Sequence, residues 1–182
     1  MSIKTDYILQ ALHVLSWIVF VGLCIDASTF IVSTIATLML EPAQAAKFWR
    51  QVDLNAVYNF NESRFVTLTA LIIITTILKA TMFYMIIQFF YKKKFNLSKP
   101  FSETTKRFVL TLGYLSLGIG LFSSWGTGVV EGLVKERVSI PDLRFMRLAG
   151  ADVWWFMGIV LLVIAFIFKK GIDLQNENEL TV

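Results

Sequence analysis

Four apolar stretches, each long enough to cross a lipid bilayer as a helix, restrict this chain more than any other feature it has. A hydrocarbon core of about 30 Å takes about 20 apolar residues as an α-helix, and only helices and closed barrels satisfy their backbone polar groups there. The stretches lie at about residues 8–40, 65–90, 108–130 and 149–168. Little of the 182 residues remains for a second domain, so the sequence predicts one all-α membrane domain of four transmembrane helices. Only 16% of residues are charged, and those charges cluster between the apolar runs. A soluble domain of this length keeps more polar surface.

The first stretch is too long for a simple span. As one helix it measures about 50 Å at 1.5 Å per residue, so it must tilt or project, and Glu41-Pro42 marks its end. Lys4 ahead of an apolar run also fits a secretory signal. However, apolar character resumes from Phe30 to Leu40 without a small-x-small site, and Leu23 precedes Cys24 where a lipoprotein signal needs a small residue. The expectation is that the first span is retained. From Gln44 to Ser63, Ala45, Phe48, Trp49, Val52 and Ala56 recur at helical spacing. That pattern predicts a short amphipathic helix in the first extracytoplasmic loop, lying on the membrane surface or on the bundle. Ser139-Ile140-Pro141-Asp142 reads as a helix start, which places the beginning of the fourth helix before the membrane.

Positive residues set the orientation. The loop between the second and third spans carries Lys92, Lys93, Lys94, Lys99, Lys106 and Arg107 against Glu103, whereas the first and third loops are balanced. The positive-inside rule puts that loop, and with it both termini, in the cytoplasm, and Lys169-Lys170 agrees. Tyr7 and Tyr91 then form an inner aromatic belt, with Trp154 and Trp155 at the outer one. The net charge of +4 is accounted for by this loop, whose placement between two spans suits anionic lipid headgroups and not direct nucleic-acid binding.

Polar groups inside the spans are the candidates for function. Asp26, Lys79 and Asp152 all fall toward the outer leaflet at helical rise, and we expect them to form one polar cluster, with Glu131 at its rim. Such a cluster either binds a ligand or ion, or is a structural ion pair. In the third span Ser116, Gly120, Ser124, Gly128 and Gly132 recur every four residues, a small-residue face on which another helix can pack closely. The alternative is that Ser124 and Thr127 line a polar path.

Chemistry that needs dedicated motifs finds none. Cys24 is the only cysteine and His13 the only histidine, so neither a disulfide nor a metal site of paired ligands is expected, nor any cofactor. Zinc-protease, nucleophile-elbow and phosphate-loop motifs are absent, and catalysis is not expected.

The tail is more distinctive. Lys169-Lys170-Gly171 is followed by Leu174, Glu177, Leu180, Thr181 and Val182. This ending resembles that of the bacterial membrane family called domain of unknown function 2975, as do the four-span layout, the basic middle loop and the length. The resemblance implies a bacterial cytoplasmic-membrane protein without assigned catalytic residues, and a small helix-turn-helix regulator as partner. Leu174, Glu177, Leu180 and Val182 are then a candidate docking tail, the plainer reading being a frayed terminus. Two functions follow: a non-enzymatic sensory or regulatory interaction protein, or a small transporter or channel subunit acting as a homo-oligomer.

Overall fold

The computed structural model describes residues 3–40, 52–91 and 101–180, and among these every regular element is a helix. Five helices follow in order: α1 (Ile3–Met39), α2 (Asn55–Phe60), α3 (Glu62–Tyr91), α4 (Glu103–Lys135) and α5 (Ala151–Leu180). All but α2 are long and apolar enough to cross a membrane. The four predicted spans are therefore all present, each longer than its apolar stretch.

Local chemistry explains where the helices begin. Asn61 Oδ1 accepts the Arg64 amide at the start of α3, and Ser102 Oγ accepts the Thr105 amide at the start of α4. Both are side-chain caps on orphan N–H groups. At the end of α4, Val138 N donates to Leu133 O and Arg137 N to Val134 O, a Schellman stop with Arg137 at φ +60°.

The four long helices pack as a row and not as a closed bundle. α1 packs on α3, α3 on α4, and α4 most extensively on α5, while no other pair of described long helices makes broad contact. The edge helices thus leave most of their apolar surface outward, as a lipid-facing helix does.

One end of the row is capped by protein. Val52, Leu54 and Val57 from the α2 segment, with Met146 and Leu148 from residues 138–148, close over Phe30, Phe65, Leu68, Ile72, Val130 and Leu133. These residues form the main buried core, and burial of so many large side chains fixes both connecting segments in place.

Two sequence expectations change here. Of the helix expected from Gln44 to Ser63, only the short α2 is described. It lies on the bundle, with Val57 buried; Glu62 and Ser63 already belong to α3, and Ala45, Phe48 and Trp49 fall outside the described residues. The helix start at Ser139–Asp142 produces one turn only. Asp142 Oδ1 caps the Arg144 amide, but Leu148 N then closes on Leu143 O and Arg147 takes φ +59°. This second Schellman stop buries Met146 and Leu148, and Gly150 at φ +78° redirects the chain so that α5 starts afresh at Ala151.

Candidate functional site

Residues 138–150 form a strap across the capped end, and Arg147 is its anchor. The left-handed turn at Arg147 points its side chain and its carbonyl at different helices. From the side chain, Nε and Nη2 donate to Asp26 Oδ2 on α1, at 2.9 and 2.6 Å. The Arg147 carbonyl accepts from Lys79 Nζ on α3, at 2.6 Å. The Lys79 ammonium also lies 5.4 Å from the centroid of the Trp154 ring on α5, a cation–π distance. One loop residue therefore ties α1 and α3 together beside the first turn of α5.

This arrangement bears on the expected trio of Asp26, Lys79 and Asp152. Asp26 and Lys79 do converge, but on Arg147 and not on each other. Lys79 is only 8% exposed, and its cost of burial is offset by a carbonyl and an aromatic face instead of a carboxylate. Arg147 escaped the sequence reading because it sits in a loop of balanced charge, with no periodicity to mark it. The one available signal was Asp26 itself, a carboxylate in an apolar helix that needs a cation at its depth.

Asp152 lies instead in a cleft of about 560 Å³ between α4 and the start of α5. Ser124, Thr127 and Glu131 line it from α4, Asp152 and Trp155 from α5. Trp155 Nε1 donates to Ser124 Oγ at 3.2 Å, which fixes the indole across the cleft, and Thr127 Oγ1 donates to the Ser123 carbonyl. The cleft thus combines two carboxylates, hydroxyls and an aromatic wall, within the size range of small-molecule sites.

The small-residue face is only partly an interface. A β-carbon at Gly120 would lie 3.2 Å from the Trp155 backbone nitrogen, and one at Gly113 3.0 Å from Leu162 Cδ2. From the facing side, a β-carbon at Gly158 would lie 2.6 Å from Leu117 Cδ2. Ser116 is wholly buried. Gly128 and Gly132 have no atom within 4 Å of the β-carbon position, and Ser124 is exposed in the cleft. The reason is geometric: steps of four residues advance about 40° beyond a full turn, so such a ladder winds away from any straight neighbour.

At the opposite end α5 continues through the tail as far as Leu180. Phe101 packs against its Gly171, where a β-carbon would lie 2.6 Å from Phe101 Cδ1, and its ring meets that of Phe168 at a tilt, with centroids 5.4 Å apart. The glycine after the basic pair is therefore a seat for an aromatic ring. Leu174 is 60% exposed and Glu177 is exposed. The Leu180 side chain and Val182 fall outside the described residues. His13 Nε2 accepts from Trp17 Nε1, and its ring meets Phe90 edge-on. Cys24 is free.

Comparison with known proteins gives one match. A family model described as protein of unknown function (DUF2975) covers residues 40–182. No curated protein and no solved structure matches.

Proposed function

Because the chain belongs to the DUF2975 family of proteins of unknown function, we propose its role from geometry: a non-catalytic sensory or regulatory protein of the bacterial cytoplasmic membrane. The protein is multi-pass, with four helices able to span. In this reading both termini face the cytoplasm, as the lysine-rich loop requires, and the capped end faces outward.

One observation carries the proposal. α5 begins in the cleft at Ala151, Asp152 and Trp155 and runs unbroken to the exposed tail at Leu174 and Glu177. Its 30 residues span about 45 Å, so a single rigid element joins an outer polar cleft to a cytoplasmic surface. Occupancy at one end that repositions the strap or Trp155 is transmitted to the other without any further part. The tail then holds a cytoplasmic partner, for which the family resemblance supplies a small helix-turn-helix regulator as the candidate.

Purification from native membranes in mild detergent, with and without residues after Lys170, tests this reading. A DNA-binding protein retained by the full chain and lost on truncation supports it. Recovery of the protein alone, as a defined oligomer, favours the transport reading, because an open row of helices needs further copies to enclose a path.

A further inference from the structure

Most hydroxyls within the spans are satisfied by their own helix. Thr69 and Thr76 in α3, and Thr111 and Thr127 in α4, each donate to the carbonyl four residues earlier. Thr75 and Ser123 do not. Both residues are wholly buried, and neither Thr75 Oγ1 nor Ser123 Oγ has a hydrogen-bond partner. Native interiors seldom leave such groups alone, and an orphan of this kind points to a bound water or ion.

The register of α3 on α4 relates the two orphans. α3 and α4 run antiparallel, with Arg64 on Glu136, Met82 on Ser116 and Phe89 stacked on Phe108. That register sets Thr75 level with Ser123. Lys79 is one turn from Thr75 on the same face, and helical side chains lean toward the N-terminus, so its ammonium rises to the Thr75 level. There it meets the Arg147 carbonyl and the Trp154 ring, two electron-rich neighbours that suit a cation. The carbonyl uses one of its three N–H donors.

Charge gives the ligand its sign. Lys79 and Arg147 are two cations, and the carboxylate bonded within the cluster is that of Asp26, which Arg147 occupies. Asp152 and Glu131 line the cleft, and no ion pair joins either to Lys79 among the described residues. Two orphan hydroxyls beside an ammonium with N–H donors to spare form a donor-rich set, which suits an acceptor that is itself negative.

We propose that Thr75, Lys79 and Ser123 bind one small monovalent anion of the halide class, in the interior between α3 and α4 beneath the strap. A water satisfies the hydroxyls but leaves the charge. The site does not depend on the sensory reading, because it rests on buried donors and the charges around them.

The test is thermal unfolding of the detergent-purified protein as sodium gluconate is replaced by chloride or bromide at constant ionic strength. Halide should raise Tm saturably, by about 3 °C at saturation. Thr75→Val and Ser123→Ala, which preserve volume, should flatten that dependence. Crystals grown in bromide should give an anomalous peak among the three side chains, read on the unmodified chain. Superimposable melts in gluconate and halide overturn the proposal, as does a water-like peak with no anomalous signal at that position.

Discussion

Arg147 Nη2 lies 2.6 Å from Asp26 Oδ2, joining two residues 121 positions apart in the chain. α1 otherwise packs broadly only on α3, so this pair is its direct polar tie to the strap that leads into α5.

A double-mutant cycle should register that tie. Asp26→Asn and Arg147→Met should couple by about 1 kcal/mol in detergent unfolding, the value being modest because both side chains are partly exposed. Asp26→Asn and Lys79→Met should couple far less, since their bonds go to different atoms of Arg147. Equal coupling in the two cycles contradicts the geometry.

Glycines on α4 should divide by contact and not by spacing. Gly120→Leu forces a side chain against the Trp155 backbone and should cost about 2 kcal/mol. Gly128→Ala meets nothing and should raise stability by up to ~1 kcal/mol through helix propensity. Unfolding in graded denaturing detergent ranks them; similar losses at both sites show that Gly128 packs against something.

The tail should separate binding from stability. Leu174→Ala removes an exposed side chain, so Tm should stay within about 1 °C while recovery of any cytoplasmic partner drops. Gly171→Val should do the reverse first, lowering Tm by displacing Phe101 from its seat.

Topology is accessible to labelling. In a Cys24→Ser background, Asn59→Cys should react with an impermeant maleimide on intact cells, and Glu177→Cys only after permeabilisation. Labelling of the second from outside reverses the orientation drawn from Lys92–Lys94.

The spans were legible because they follow from a local property, residue hydropathy summed over about 20 positions. Asp26 and Lys79 were legible as functional candidates for a related reason, since a charge in an apolar run announces its own cost. Arg147 was not, because its importance comes from a left-handed backbone turn set by burial of Met146 and Leu148, a long-range effect. The same burial cut short the helix that Ser139–Asp142 signalled. Gly128 and Gly132 were grouped with Gly120 because counting by fours ignores the 40° that each step adds. Gly171 was visible as part of a pattern, but only Phe101 explains it.

The close contact between α4 and α5 at Gly158, which leaves no room for a β-carbon beside Leu117, divides α5 very unequally. Asp152 stands about 9 Å from that point along the axis and Leu180 about 33 Å, at 1.5 Å per residue. If α5 rocks there as a stiff rod, the arms form a lever of nearly one to four. A tilt of about 5° shifts the cleft end by less than ~1 Å and swings the far tip by ~3 Å. Glycine at the fulcrum, with no side chain to jam against Leu117, is the residue that leaves such rocking sterically cheap.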